Sequence, residues 1–220
     1  DAGDEHMINR MRQYFNERAQ EKQRRARAKA LINDVKTAIE NKNITALNDA
    51  VDTILMDYDE NVLKKEHRDL LFSAIETKDT DVFKAVYSLL PDPNFMFVWH
   101  HGMPGGGIHI TVFEPVLERC IEKGTEDMAL FIAEQPAFDP RVQGAKQTWR
   151  FHSSGGIFEA GRSEKTTTYS NDFRKIAADH GMESLVTVLN EREADALTAE
   201  AAELNRRADA LRGPGPFRVQ

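Results

Sequence analysis

Apolar side chains recur every three or four residues through most of this chain, which predicts a largely helical protein. Residues 8–41 contain no Gly or Pro and are rich in Arg, Gln, Glu, Ala and Lys, so they read as one long helix. Its second half is amphipathic through Leu31, Val35 and Ile39. Its first half offers only a short stripe of Ile8, Met11, Tyr14 and Phe15 and is too polar to be buried. Near the other end, residues 191–212 form a second Gly- and Pro-free helix. Leu197, Ala201, Leu204, Ala208 and Leu211 follow alternating four- and three-residue steps there, a narrow seam expected to pack back on the rest of the chain. Gly213-Pro214-Gly215-Pro216 stops that helix.

Between these ends one short shape returns four times. Thr37-Ala38-Ile39-Glu40-Asn41-Lys42-Asn43, Ser73-Ala74-Ile75-Glu76-Thr77-Lys78-Asp79, Arg119-Cys120-Ile121-Glu122-Lys123-Gly124-Thr125 and Ile176-Ala177-Ala178-Asp179-His180-Gly181-Met182 each place a small residue before a polar turn and a fresh helix start. Helices this short cannot bury an apolar stripe alone, so a tight turn must fold a second helix back on the first. Lys42, Lys78, Lys123/Gly124 and Gly181 stand where the first helix stops, a position that favours left-handed backbone. Thr80, Thr125 and Glu183 then open the second helix. The small residues at 38, 74, 120 and 177 are 36, 46 and 57 residues apart. The first spacing is close to the roughly 33 residues of one helical repeat class, and the others carry insertions.

The clearest unit runs from Asp69 through Leu90 and closes on Pro91-Asp92-Pro93-Asn94. With the partial echo Phe138-Asp139-Pro140-Arg141 and the paired segment Phe173–Leu189, it resembles the ankyrin-repeat family over roughly residues 28–192. The resemblance implies a mainly α fold: an ankyrin-like solenoid of about four helical hairpins with two inserted β-hairpin loops and long terminal helices. No unit carries the family's Thr-Pro-Leu-His, which leaves a TPR- or HEAT-like hairpin array open. The expected organisation is a basic N-terminal helix at 1–27, repeats at 28–192, a capping helix at 193–212 and a tail at 213–220.

The insertions, about 95–110 and 142–169, set β-rich arms around Gly-rich turns and predict strand-turn-strand. Phe95–His101 and Ile108–Ile110 flank a Pro104-Gly105-Gly106-Gly107 tip. Thr148–His152 and Ile157–Ala160 flank Ser153-Ser154-Gly155-Gly156, and the polar tail Arg162–Thr168 reads as mobile. Both Trp residues and four of the seven His lie in these insertions. Trp99, His100, His101, Trp149, Arg150, Phe151 and Arg162 are therefore the candidate partner-binding residues, because aromatic and Arg side chains dominate binding surfaces. The alternative is that the hairpins pair with each other and stack Trp99 on Trp149 inside.

Composition narrows the function. The 220-residue chain carries a net charge of −7, so nucleic acid is not the expected partner of the whole molecule. Residues 10–29 nevertheless hold eight Lys or Arg against Glu17 and Glu21, and residues 49–84 hold ten Asp or Glu against five Lys or Arg. A solvated basic helix face is the expected meaning; contact with RNA or an acidic membrane is the other. No apolar run is long enough to span a membrane, and the first residues carry no signal pattern. With Cys120 alone there is no disulfide framework, so the compartment stays open between cytoplasm and secretion into a host or periplasm. Cys120 lies among Val116, Leu117 and Ile121 and reads as an inert core thiol.

Catalytic signals are thin. His100-His101 with His109 is the one metal-like cluster; only one of the adjacent pair can face His109, and even with His152 as a third ligand the set falls short of a usual zinc site. The Gly102–Gly107 loop lacks the Gly-Lys-Ser/Thr ending of a phosphate cradle, and no nucleophile elbow occurs. The expectation is a non-catalytic scaffold, adaptor or inhibitor that needs no cofactor or metal and captures a partner protein or peptide, as the family resemblance implies. A metal or enzymatic site in the His-bearing hairpins is the second possibility.

Overall fold

A computed structural model describes residues 2–57, 60–102, 108–152, 162–170 and 172–212, with side-chain statements confined to residues other than 2–6, 8, 60–65, 151, 152, 162 and 163. The described chain is mainly helical, with one four-stranded antiparallel sheet. It divides into two compact units, Asp1–Pro91 and Asp92–Gln220.

The first unit holds α1 (Ala2–Glu40), α2 (Ile44–Asp57), α3 (Glu60–Glu76) and α4 (Thr80–Tyr87). Each pair folds back on itself, and the pairs then lie against each other, α1 on α3 and α2 on α4. Leu47, Ala50, Val51 and Ile54 fall on one face of α2 and are buried, as a 3.6-residue period requires. They meet Val35 and Ile39 of α1, Leu71 and Ile75 of α3, and Val82, Phe83 and Val86 of α4 in a core from which water is excluded. Burial of each such side chain contributes about 1.5–3 kcal/mol, which an eight-residue helix could not obtain alone. Ala28 is the first buried residue of α1; the described side chains before it are exposed.

The second unit holds β1 (Met96–Gly102), β2 (Ile108–Pro115), α5 (Val116–Lys123), α6 (Glu126–Ala133), β3 (Ala145–His152), β4 (Arg162–Tyr169), α7 (Phe173–Asp179) and α8 (Glu183–Arg212). Here α5 pairs with α6 and α7 with α8, while α5 lies on α7 and α6 on α8. Leu117, Cys120, Ile121, Met128, Ile132, Ala177, Leu185 and Leu189 form the helical core.

The repeated turn has a common geometry. Asn43 N donates to Ala38 O at 2.9 Å and Lys42 N to Ile39 O at 3.0 Å; Met182 N donates to Ala177 O and Gly181 N to Ala178 O, both at 3.0 Å. These paired bonds satisfy the orphan carbonyls of a helix end and need left-handed backbone at the turn. Lys42, Lys78 and Gly181 supply it with φ of 52°, 57° and 71°. Gly124 differs: its φ is −90°, and it is required by space, since a Cβ there would sit 2.8 Å from Cys120 O. Asn43, Asp79, Thr125 and Asp172 cap the helices that follow or begin nearby, each side chain accepting backbone N–H groups.

Two ties join the successive pairs of the second unit. Glu126 Oε1, at the start of α6, accepts from Ser184 N at 3.1 Å and Leu185 N at 3.3 Å, so it caps α8. Arg192 of α8 returns the favour at the other end, donating Nε–H to Ala133 O at 3.1 Å and a second N–H to Glu134 O. Asn94 donates to Ala137 O at 2.8 Å and accepts from Asp139 N at 2.9 Å, linking the two turns that the sequence matched to each other.

Two expectations change, and a third falls where nothing is described. The polar segment Arg162–Thr168 is a strand, part of β4, because consecutive Thr166, Thr167 and Thr168 suit a pleated surface and β3 offers a ladder. The strand expected at Ile157–Ala160 lies outside the described residues. The capping helix expected at 193–212 is continuous with the second helix of the last pair, α8, and its seam stays uncovered, with Leu197, Leu204 and Leu211 57%, 58% and 89% exposed.

Candidate functional site

Both insertions feed one sheet of order β1-β2-β3-β4. Trp99 stands opposite Val112, and Val112 opposite Lys146, whereas Trp149 stands opposite His109. Because side chains alternate along a strand, this register assigns every described residue to a face. Trp99, His101 and Arg150 share one face with Phe97, Ile110, Val112 and Glu114. His100 and Trp149 share the other with His109, Thr111 and Lys165. The candidate residues are thus split between two surfaces, and the two indoles do not stack. Phe151 and Arg162 hold ladder positions opposite Ser163 and His152, with their side chains outside the described set.

The Trp99 face is anchored at its root. Phe97 is fully buried, stacks on Trp99 at 6.1 Å between ring centroids and meets Phe95 edge-on at 5.1 Å. Trp99 Nε1 donates to Glu114 Oε2 at 3.0 Å, and Arg119 of α5 reaches Glu114 Oε1 at 3.5 Å. Trp99 is therefore a structural anchor as much as a surface group: its one polar atom is already used.

The opposite face presents different chemistry. His100 Nδ1 and Thr111 Oγ1 lie 3.2 Å apart, and the His100 and His109 rings are 5.7 Å apart. Lys165 Nζ sits 5.0 Å from the Trp149 ring centroid, a cation–π arrangement. His109 pairs with Gly102 across the hairpin and sits with His100, so it does not join His101. Among the described residues, no three His, Cys, Asp or Glu side chains converge as a metal site would require.

A feature that the sequence reading did not single out lies where α5 meets the sheet. A cavity of about 340 Å³ is lined by Glu114, Glu118, Glu122, Lys146 and Tyr169, among others. A second, of about 350 Å³, continues past Ser170 to Asp179 and His180. Gly144 makes the close approach possible, since a Cβ there would lie 2.5 Å from Glu118 Oε2. Burial pushes the Glu118 carboxyl up to about 7; a hydrogen bond from Ser170 opposes the rise, and Glu122 and Glu114 add to it. The four-residue spacing of Glu114, Glu118 and Glu122 was visible, but only the strand-to-helix junction at Pro115 turns it into one acidic wall. Cys120 is fully buried, and burial raises its thiol, which keeps it protonated and away from solvent.

The chain matches no protein-family model, no curated protein and no solved structure. No helix among the described residues is long and apolar enough to cross a membrane.

Proposed function

We propose that the protein is a non-catalytic binding module, a scaffold, adaptor or inhibitor, that captures a partner protein or peptide on the sheet made by its two insertions. We read its paired helices as a divergent, ankyrin-like hairpin array whose inter-repeat loops have grown into that sheet. The observation that carries the reading is that all four strands come from the loops between helix pairs, with the aromatic and imidazole groups at their centre left partly open. Supporting the array is the like-on-like packing inside each unit, first helix on first and second on second. The ties from Glu126, Arg192 and Asn94 take the place that Thr-Pro-Leu-His bonds hold in the family.

Of the residues chosen from the sequence, His100 and Trp149 are best suited to contact a partner. They share a face, and Trp149 does not hold the root of the sheet. A photo-reactive residue at Lys165 should crosslink the native partner in extracts of the source cell, and one at Asp52 on α2 should not. Trp149→Ala should then weaken capture at least tenfold with the fold intact, the effect of losing a central aromatic anchor. Undiminished capture by a folded Trp149→Ala protein would remove this face from the binding site.

A further inference from the structure

The seam on α8 is self-complementary. Leu197, Leu204 and Leu211 alternate with Ala194, Ala201 and Ala208 along one stripe of the helix beyond its last buried residue, Leu189. All three leucines are more than half exposed. When the stripe is laid antiparallel on a copy of itself, with Ala201 level with Leu204 of the other copy, Leu197 meets Ala208 and Ala194 meets Leu211. Every layer then sets a large side chain against a small one, the arrangement that lets two helices interdigitate without gaps. A parallel pairing would instead crowd Leu on Leu and leave Ala facing Ala.

The charges beside the seam select the same alignment. Residues 191–203 carry five acidic side chains and one Arg; residues 204–212 carry three Arg and one Asp. In the antiparallel register Glu200 faces Arg207 of the other copy, and Glu191 faces Arg212. In the parallel register Arg207 would face Arg212, like against like. Within one chain Glu200 pairs with Arg141, Arg207 with Glu203 and Arg212 with Asp209. These are exposed pairs of small worth, readily exchanged for partners across a seam that excludes water.

We infer that α8 is a homodimerisation helix: residues 191–212 of two copies pair antiparallel through the Leu–Ala seam. The helix is already held by Leu185, Leu189 and Arg192, so pairing does not have to bear the entropy of forming it. This surface is separate from the sheet, and the inference stands or falls independently of the binding reading.

Sedimentation equilibrium of the full chain tests it. The expected result is a concentration-dependent monomer–dimer equilibrium. Leu204→Glu should abolish the dimer with helix content unchanged, and with Tm unchanged at concentrations where the native chain is monomeric, because that residue is 58% exposed within the chain. Glu200→Arg should weaken the dimer by about tenfold, and adding Arg207→Glu should restore it. A chain that stays monomeric at every attainable concentration overturns the inference, as does a dimer indifferent to Leu204→Glu. Indifference to Glu200→Arg would overturn the antiparallel register.

Discussion

Trp99 and Trp149 stand on opposite faces of the same sheet, Trp99 with its indole N–H donated to Glu114 and Trp149 with its ring under Lys165. They therefore do different work. Trp99→Phe keeps the ring stack on Phe97 but strips a donor from a half-buried carboxylate. It should cost about 1.5–3 kcal/mol, the scale for a hydrogen bond to a charged group. Trp149→Phe should stay within about 0.5 kcal/mol. Urea unfolding of the two variants measures the difference; equal losses would refute the anchor role given to Trp99.

The left-handed turns provide a second test. Lys42 and Lys78 adopt a backbone that costs an L-residue roughly 1–2 kcal/mol, part of which Gly loses again through its freedom when unfolded. Lys42→Gly and Lys78→Gly should each stabilise the protein, by about 0.5–1 kcal/mol, and Gly181→Ala should destabilise it by about 1 kcal/mol. Thermal melts of the three variants should show this pattern of signs.

Glu118 makes stability depend on pH. Its carboxyl titrates near 7 when folded against an ordinary value of 4.5, so the folded state holds the proton more tightly. The stabilisation is fully present below about 4.5 and is lost as the pH rises through about 7. Glu118→Gln removes the ionisation. Above pH 7 it should gain on the order of 1 kcal/mol, a value reduced for solvent screening because the group is partly exposed. Chemical denaturation of both proteins from pH 4 to 8 should give curves that diverge as the pH rises. Parallel curves would show that Glu118 is not the group responsible.

Much of this was legible in the chain. Ala38, Ala74, Cys120 and Ala177 marked four helix ends correctly, because a buried small residue, a polar turn and a capping side chain must follow one another closely wherever two short helices reverse. The strands at Phe95–His101 and Thr148–His152 showed through their β-rich residues beside Gly-rich turns, with β1 starting at Met96 and β3 at Ala145. β4 was hidden because its residues are polar; the signal was the run of three β-branched Thr, readable only once β3 is known to need a neighbour. The division of the candidate site was also out of reach. Which face Trp149 takes depends on the register of β2 with β3, set by residues on both sides of α5 and α6.

Reciprocal capping between α6 and α8 predicts coupling across the helix pairs. Glu126→Ala leaves two N–H groups at the start of α8 without their acceptor and should cost about 1–2 kcal/mol. Hydrogen exchange should show the loss at Ser184 and Leu185 first; unchanged protection there would mean that solvent replaces the carboxylate at no penalty.

β2 and β3 pair across the whole stretch of chain that forms α5 and α6. Closing so long a span carries an entropic cost that falls once those helices have compacted it. The topology therefore favours helix pairs that form early and a central ladder that zips late, as expected of pairings remote in sequence. A newly made chain is expected to display its helical signal before the surroundings of Trp149 settle, so a partner of the kind proposed for that face would meet a molecule whose scaffold is already complete.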